Sequence, residues 1–489
     1  MKWQDIQTNN PLILEDDGIY YRRKINDFFE AWKNSPNHKP LIVKGLRQSG
    51  KTKAILRFGI ENYDSVIYID FRNHSDYAKF FVDYEIDNIK ERISAALGIS
   101  SFIEGRTLIV FDEIQDCPIA RGSLKNFYID GRYDVVCSGS MLGISGYNED
   151  MKQFIPVGYE RIVRFEPMDF EEFLWAYGFD RGYTRDFYRA VEEKRQIDPS
   201  VHESMIKLFR LYMVVGGMPD IVKAYFAHHD LALVRREQRS LVDSYRDDFG
   251  TRLKSDGRSY VKAVENAKIN AVLDSMPSQL SREKTTKFTY NLLADSHAKS
   301  EKYEGAIEWL VNYGLLRKCE NLEKIDTIQA GYAKPNQFKL FFADSGLFCS
   351  QLDASIAESI IFDSMDSFKG AIYENIVCDA FGKSGRPLYY FSPNERGEID
   401  FVTNLPGKTA LVEVKANKGK TRFSDSVISS TSNPGRYVIL KLTAQNIGQF
   451  ENKVTLPYYL AGFLPKEEDG LSGIELDLPD PKDLIRKPI

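Results

Sequence analysis

The stretch Gly45-Leu46-Arg47-Gln48-Ser49-Gly50-Lys51-Thr52 follows the apolar run Leu41-Ile42-Val43. It matches the pattern G-x-x-x-x-G-K-[ST] at every fixed position. The apolar run predicts a buried strand, and the residues that follow, 53–58, predict the start of a helix. A strand, a glycine-rich loop and a helix in this order are the context that a phosphate-binding loop requires.

The chemistry of such a loop assigns a role to each type of residue in it. Glycines let the backbone wrap around a phosphate, so that N–H groups form an anion nest at the N-terminus of a helix. Lys51 is expected to reach the β- and γ-phosphates, and the Thr52 hydroxyl is expected to ligate Mg²⁺. ATP and Mg²⁺ are therefore the predicted cofactors, and the predicted cradle consists of Gly45, Arg47, Gln48, Ser49, Gly50, Lys51 and Thr52.

Further strands are predicted at 66–70, 107–111 and 133–137, alternating with helices. This alternation favours a parallel sheet covered on both faces, with ligands bound beyond the carboxyl ends of the strands. The third strand runs into Asp112-Glu113, which has the form of a Walker B element. Asp112 is expected to hold the Mg²⁺ coordination sphere, and Glu113 to orient or deprotonate the attacking water. Ser138 or Ser140, after the fourth strand, is a candidate sensor of the γ-phosphate.

Length and composition restrict the classes of protein that need to be considered. The chain has 489 residues, enough for about three domains, with 43% apolar and 28% charged residues. No apolar run approaches the roughly 18 residues of a membrane-spanning helix. The five cysteines are scattered, and a polar start predicts no secretory signal, so we expect a cytoplasmic protein without membrane partners. A net charge of −5 means that any DNA contact requires a local basic face.

Four motifs together carry a resemblance to a known family: Gly45–Thr52, Asp112–Gln115, Ser138–Ser140 and Pro167-Met168-Asp169-Phe170-Glu171-Glu172-Phe173. In this order they resemble the AAA-type ATPase domain of a large prokaryotic family related to archaeal and STAND-like ATPases. The later Tyr212–Pro219 segment is similar to another signature of that family.

The resemblance also implies contacts outside the loop. Arg22 or Arg23, just before the core, is expected to touch the base of the nucleotide; Arg22 is the residue we single out. The family's upstream Gly-Arg pair is replaced here by Gly158-Tyr159, so Arg161 or Arg164 is the candidate arginine contact. A nucleotide-dependent homo-oligomer is a candidate assembly.

The sequence pattern in the middle of the chain predicts mainly helices. Residues 166–265 predict a charged helical lid on the ATPase core, interrupted by a turn at Gly216-Gly217-Met218-Pro219. Residues 266–345 predict a winged-helix-like module, with helical patterns at 271–273, 288–293 and 306–310 and wing strands at 313–317 and 338–342. Such modules bind DNA or serve only as structural linkers, and the sequence leaves both open.

The last part of the chain contains a second set of chemically suggestive residues. Glu374 lies in a helical pattern, Asp400 in a strand at 398–402, and Glu413 and Lys415 in a strand at 410–415. Residues two apart in a strand share a face, so Glu413 and Lys415 point the same way. Carboxylates with a neighbouring amine suit a divalent cation and a metal-activated water.

This order resembles the PD-(D/E)XK nuclease fold, and the ATPase family above often ends in such a domain, of the DUF4143 type. The resemblance implies a second Mg²⁺ or Mn²⁺ held by Glu374, Asp400 and Glu413, with Lys415 as a catalytic residue. DNA is then a candidate partner. The alternative is a nucleotide-switched binding or scaffold protein with an inactive nuclease fold.

The predicted fold class is therefore α/β, with several parts in sequence. We expect a P-loop NTPase domain (1–165), a helical lid (166–265), a winged-helix-like module (266–345), an α/β PD-(D/E)XK-like domain (346–464) and a tail (465–489).

Overall fold

The structure is a computed structural model that describes eleven segments of the chain. They are residues 5–8, 19–99, 101–140, 156–251, 263–280, 287–293, 300–326, 328–365, 369–394, 397–415 and 421–466. The predicted tail from residue 467 onward lies outside the described residues.

A five-stranded parallel sheet organises the first part of the chain. Its strands are β1 (Leu41–Gly45), β2 (Ser65–Asp70), β3 (Thr107–Asp112), β4 (Asp134–Gly139) and β5 (Arg161–Phe165), in the spatial order β2-β3-β4-β1-β5. Four of these strands were predicted from their apolar runs. The edge strand β5 was not, because exposed charged residues interrupt its apolar pattern.

Helices cover both faces of this sheet, as the alternating pattern predicts. They are α1 (Lys24–Lys33), α2 (Lys51–Asn62), α3 (Ile86–Leu97), α4 (Pro118–Gly122) and α5 (Leu124–Asp130). The two faces bury separate apolar cores: α1 and α2 pack on one face, and α3, α4 and α5 on the other. Because β1 lies between β4 and β5, the loop after β1 opens at an interior position of the sheet's carboxyl edge.

A helical region follows the sheet. Its helices are α6 (Phe170–Tyr177), α7 (Arg181–Glu193), α8 (Pro199–Val215), α9 (Pro219–His228), α10 (Leu231–Thr251), α11 (Ala263–Leu280) and α12 (Ser300–Tyr313). Asp169 caps α6 by accepting from the Glu172 backbone N–H, and the Glu172 carboxylate accepts from the Asp169 N–H in return. This reciprocal capping fixes the start of the first helix after the sheet.

A mixed eight-stranded sheet occupies the last third of the chain. Its strands are β6 (Leu316–Leu322), β7 (Ala333–Phe342), β8 (Tyr389–Asn394), β9 (Gly397–Leu405), β10 (Lys408–Val414), β11 (Tyr437–Thr443), β12 (Gly448–Phe450) and β13 (Lys453–Pro457), in the order β12-β13-β11-β10-β9-β8-β6-β7. Four helices accompany it: α13 (Ser345–Gln351), α14 (Ala354–Phe362), α15 (Lys369–Lys383) and α16 (Arg422–Ser429).

The strands expected to form wings belong to this same sheet, because β6 pairs in parallel with β8. The boundary expected at residue 345 therefore does not coincide with a break in the sheet. The helix expected at 288–293 is instead a single 3₁₀ turn, Tyr290–Leu292, and Phe288 donates its N–H to the carbonyl of Phe338. A backbone hydrogen bond to β7 rather than local pattern accompanies the conformation here.

One continuous apolar core joins the helical region to the mixed sheet. It extends from Leu46 in the glycine-rich loop to Leu464 near the end of the described chain. Among the described residues, no helix has the length and apolar character needed to cross a lipid bilayer.

Candidate functional site

The glycine-rich loop lies between β1 and α2, where the sequence predicts it. A Cβ at Gly45 would overlap the carbonyl oxygen of Phe165 on β5, so only glycine fits this close approach of two strands. Gly50 has a φ of 91°, a conformation that glycine adopts without strain. Gln48 also takes a positive φ, of 60°. The loop is thus tightly wound between the strand and the helix N-terminus.

Lys51 is buried, and its ammonium group donates to the carbonyl oxygens of Gly45 at 3.1 Å and Leu46 at 2.9 Å. Burial lowers the pKa of Lys51, against the opposing effect of Glu113 and Asp112. The hydroxyl of the fully buried Ser49 has no hydrogen-bond partner among the described residues. An unpaired buried hydroxyl and a lysine turned into the loop fit an anion held at this position.

Asp112, at the end of β3, collects hydroxyl donors from three elements. Thr52 on α2 donates to Oδ1 at 2.9 Å, Tyr68 on β2 donates to Oδ2 at 2.6 Å, and Ser138 on β4 also donates to Oδ1. Burial and the Glu113 carboxylate raise the pKa of Asp112, and these three hydrogen bonds oppose the rise. Thr52 and Asp112 thus place two oxygens side by side, as a Mg²⁺ site requires.

Glu113 adopts a left-handed conformation, with a φ of 52°. Its carboxylate accepts from the Ser140 hydroxyl at 2.9 Å and from the Gln115 amide. Ser138 accepts the Glu113 backbone N–H at 3.1 Å while it donates to Asp112. The two serines expected near the γ-phosphate therefore contact the two acidic residues.

Arg47 and Arg22, both expected to contact the nucleotide, each form an ion pair with a carboxylate. The Arg47 guanidinium pairs with Asp248 of α10 at 2.8 Å, and the Arg47 carbonyl accepts from Tyr245 of the same helix at 2.8 Å. Arg22 is half-exposed and pairs with Asp27 at 2.8 Å. Its buried neighbour Arg23 instead reaches the loop and donates to the Ser49 carbonyl at 3.3 Å.

A small cavity adjoins the loop on the side of α9, and sequence reasoning did not identify it. It is lined by Tyr20, Tyr21, Gly50, Met168, Pro219 and Asp220. Pro219 follows the Gly216-Gly217 turn, which the sequence predicts as an interruption of the helical lid. The cavity's volume of about 40 Å³ is far below the roughly 300 Å³ of a small-ligand pocket, so it does not hold a nucleotide base in this conformation.

The carboxylates of the last domain come together on the mixed sheet. Glu374 lies on α15, Asp400 on β9, Glu413 on β10, and Lys415 immediately after β10. Lys415 pairs with Glu413 at 2.6 Å and with Asp400 at 3.6 Å. Asp400 accepts the Val414 N–H at 2.7 Å, and Glu413 accepts the Ser424 hydroxyl from α16. Burial, followed by the Glu374 carboxylate, raises the pKa of Asp400.

Two residues of this cluster were missed by sequence reasoning. Glu398 lies two residues before Asp400, and oxygens of Glu374, Glu398 and Asp400 lie within 4.8 Å of one another. Lys339 comes from β7, which the sequence assigned to another module; its fully buried ammonium pairs with Glu374 at 3.2 Å and with Glu398. The signal for Glu398 was its spacing from Asp400, whereas Lys339 is brought in only by strand pairing.

The donor set fits one divalent cation. Four carboxylates, Glu374, Glu398, Asp400 and Glu413, face two ammonium groups, Lys339 and Lys415, so the cluster carries a net charge of −2 when all six are ionised. Burial disfavours the ammonium form of Lys339, but Glu374 and Glu398 outweigh it and hold its pKa well above the usual value. Carboxylate oxygens at this spacing are the ligands that Mg²⁺ and Mn²⁺ prefer.

Three protein-family models match this chain, each over less than half of it. Residues 37–174 match an AAA domain, so the chain carries an AAA-type P-loop ATPase domain. Residues 206–357 match a domain of unknown function, DUF8612, and residues 369–459 match another, DUF4143. No curated protein sequence is detectably similar to the chain.

Solved structures of AAA-type proteins show a weak likeness. The Aeropyrum pernix ORC2 protein in its ADPNP–ADP complexes is 11% identical, with 71% of this chain and 96% of that chain covered and a TM-score of 0.33. DnaA from Aquifex aeolicus bound to AMPPCP is 14% identical, with coverages of 59% and 85% and a TM-score of 0.24. C. elegans PCH-2 is 11% identical, with coverages of 42% and 62% and a TM-score of 0.25. Scores this low carry no information on activity or partners.

Proposed function

We propose that this chain is a Mg²⁺-dependent ATPase whose nucleotide state controls a C-terminal nuclease-like domain that acts on DNA. The observation that carries the ATPase proposal is the contact between Thr52 and Asp112, which joins the phosphate loop to the acidic end of β3. An AAA domain match over residues 37–174 supports the same conclusion.

The proposal assigns a role to four residues in and around the loop. Lys51 leaves the loop carbonyls and binds the β- and γ-phosphates, while Thr52 and Asp112 hold Mg²⁺. A Mg²⁺ ion held there would neutralise charge on the phosphates. Glu113, positioned by Ser140 and Gln115, accepts a proton from the attacking water.

Control of the C-terminal domain is supported by contiguous polar contacts. Arg23 donates to the carbonyls of Ser49 in the loop and Glu166 after β5. The Glu166 side chain pairs with Arg317 of β6 at 3.0 Å, and Arg317 approaches Asp379 of α15 at 3.5 Å. Helix α15 also carries Glu374, so a shift at the loop has a physical route to the carboxylate cluster.

The cellular setting we propose is the cytoplasm. All five cysteines are buried and carry free thiols. Free thiols persist in reducing compartments, where disulfides are rare.

The hydrolysis proposal is tested by phosphate release from the purified chain with ATP and Mg²⁺. We expect Glu113→Gln to lower kcat by about 10²-fold or more, because a positioned general base contributes about that much, while ATP affinity is kept. Glu104→Gln, at an exposed acid of the same domain, is the matched control. Turnover that neither Glu113→Gln nor Lys51→Ala affects would refute the proposal.

The nuclease proposal is tested by cleavage of single- and double-stranded DNA with Mg²⁺ or Mn²⁺, with and without ATP. Glu413→Ala and Lys415→Ala should abolish cleavage. Lys408→Ala, an exposed lysine at the start of the same strand, should leave it intact. Cleavage that is unchanged in both cluster variants would refute the nuclease proposal. Cleavage at the same rate with and without ATP would refute control by the nucleotide.

A second candidate function is a nucleotide-switched binding protein whose nuclease fold is inactive. The observation that favours it is Lys339, whose ammonium already pairs with two carboxylates of the cluster. Calorimetric titration of the nucleotide-free chain with Mn²⁺ separates the two candidates. Binding that Asp400→Asn abolishes supports the nuclease, whereas no binding at the cluster supports the inactive fold.

A further inference from the structure

A basic cleft lies beside the carboxylate cluster, on the outer strands of the mixed sheet. Its volume is about 530 Å³. The first turn of α16, with Thr421 before it, forms one wall, and Lys441 of β11 lines the cleft together with β12 and the start of β13. Within this cleft, the proposals above assign no residue a role.

Two elements link the cleft to the cluster. On the neighbouring strands β10 and β11, Glu413 lies in register with Lys441, and paired strands run only about 4.8 Å apart. Helix α16 contacts both places, because Ser424 donates to the Glu413 carboxylate while Arg422 lines the cleft. A ligand in the cleft therefore lies next to the carboxylates.

The side chains that line the cleft include three cations and one carboxylate. Arg422 and Lys441 form no ion pair within the part of the chain that the structure describes. Lys453 pairs with Asp425 at 2.8 Å, so the three cations exceed the single carboxylate by two charges. Two uncompensated cations on a concave surface, in a chain of net charge −5, mark a local binding site for phosphate groups.

An aromatic ring stands beside these cations. Phe450, the last residue of β12, is 71% exposed and lines the cleft. Exposed rings next to a positively charged groove are the means by which proteins hold unpaired bases, because every base offers a flat face for stacking. A cleft of about 530 Å³ falls in the range of small-ligand pockets, which suits one or two nucleotides rather than a duplex.

We infer that this cleft binds an unpaired segment of a nucleic-acid strand, with phosphates on Arg422 and Lys441 and a base stacked on Phe450. The cleft then delivers the adjoining phosphodiester to the carboxylate cluster, a step that rests on the proposed nuclease function. The binding itself does not rest on it.

The test is fluorescence anisotropy of labelled oligonucleotides with the full chain, in Ca²⁺ and over a series of salt concentrations. The probes are a short single-stranded DNA, an RNA of the same sequence and the blunt DNA duplex. We expect at least one single strand to bind more tightly than the duplex.

Two variants separate the two kinds of contact. Arg422→Gln/Lys441→Gln should weaken single-strand binding about tenfold and reduce the salt slope by about 1.4, since each phosphate contact contributes about 0.7. Phe450→Ala should weaken it at least about fivefold with the slope unchanged. The matched controls are Arg195→Gln/Lys207→Gln, on the helical region, and Phe362→Ala, at a phenylalanine that is 72% exposed.

Unchanged affinity in both cleft variants, or a duplex bound more tightly than either single strand, overturns the inference. So does the absence of oligonucleotide binding, the result expected if the cleft instead receives an acidic segment of a protein. Measuring both strand binding and cleavage, with Glu413→Ala as the cleavage-deficient variant, distinguishes a failure of the cleft inference from a failure of the nuclease proposal. Strand binding without cleavage in the wild-type chain refutes the nuclease and keeps the cleft.

Discussion

Asp112 shows how much of the proposed ATPase site depends on one carboxylate. Three hydroxyls donate to it, from Thr52, Tyr68 and Ser138. Each donor stabilises the ionised form of a buried group whose pKa burial raises. The charge on Asp112, and hence the proposed role of Asp112 as a Mg²⁺ ligand, depends on these partners.

Tyr68→Phe removes one donor without changing the shape of the side chain. We predict that the Mg²⁺ concentration needed for half-maximal ATP turnover rises about tenfold, because outer-shell partners of metal ligands typically contribute about 10–100-fold in affinity. Tyr63→Phe is the control, since its hydroxyl donates to Asp134 at 2.7 Å in the same domain. Equal Mg²⁺ requirements in the two variants would show that Tyr68 does not tune the site.

His38 makes a pH-dependent contribution to stability. Its Nε2 contacts Asp134 at 2.7 Å and its Nδ1 contacts the Ser35 carbonyl at 3.0 Å. The hydrogen bond to Asp134 raises the pKa of His38 above 6.5, whereas Asp134, with a lowered pKa, stays ionised at neutral pH. The stabilisation is therefore complete below the unfolded pKa and is lost as the pH rises through the folded pKa.

We predict that His38→Gln lowers the apparent Tm more at about pH 6 than at about pH 9. Thermal unfolding of the two proteins, followed by circular dichroism at both values, checks this. His202→Gln provides the contrast, because burial lowers the pKa of His202. A deficit in the His38 variant that stays the same at both pH values would contradict the assignment.

At the scale of elements, the Gly216-Gly217 turn holds three parts of the chain together. Gly217 donates its N–H to Asp344 at 2.7 Å, before α13, and its carbonyl accepts the N–H of Met168 at 2.7 Å. A Cβ at Gly217 would overlap the Met168 carbonyl. Pro219, just after the turn, lies against the phosphate loop at Gly50.

We predict that Gly217→Ala destabilises the chain by about 3 kcal/mol or more, because backbone would have to move to relieve the overlap. Gly305→Ala is the matched control: it lies within α12 with open space around it and should stabilise by about 0.5–1 kcal/mol. Denaturation curves of both variants test this. A Gly217 variant as stable as wild type would mean that the turn adjusts easily.

The elements that local pattern encodes were the ones that could be predicted. Strand β1, the loop and α2 follow from an apolar run, a glycine motif and helical spacing, all within residues 41–62. The parallel pairing of β6 with β8 joins Glu320 to Tyr389, which lie far apart in sequence. Local pattern contains no information on such a pairing, so the shared sheet and the position of Lys339 beside Glu374 could not be foreseen.

The choice between Arg22 and Arg23 illustrates the same limit at one residue. Both precede α1, and a family pattern alone does not say which side chain turns inward. Packing decides it: Arg23 is buried against Phe165, whereas Arg22 stays on the surface with Asp27.

At the scale of the whole molecule, Arg317 joins the parallel sheet to the C-terminal domain. It is buried between Glu166 and Asp379, and the two carboxylates raise its pKa against the effect of burial. Glu166 has a lowered pKa, because the attraction of Arg317 outweighs burial. A buried charge group of this kind fixes the relative placement of the parts it joins only while all its members are present.

We predict that Arg317→Met costs about 3 kcal/mol, since it leaves Glu166 without its ion-pair partner, whereas Asp379 keeps Lys383 at 2.8 Å. Arg106→Met, at an exposed arginine paired with Asp64, should cost less than about 1 kcal/mol. Adding Glu166→Gln to Arg317→Met should recover part of the loss. Chemical denaturation measures all three, and an Arg317 variant as stable as the Arg106 variant would contradict the role of this contact.

The central claim is that the loop at residues 45–52 binds ATP, and calorimetric titration of the chain with ATP and Mg²⁺ tests it most directly. We predict one site per chain, weakened at least about thirtyfold by Lys51→Ala, because losing a buried charged contact costs about 2 kcal/mol or more. Lys39→Ala, at an exposed lysine before β1, should leave the affinity unchanged. A folded wild-type chain that does not bind ATP, or a Lys51→Ala variant that binds it equally well, would contradict the account.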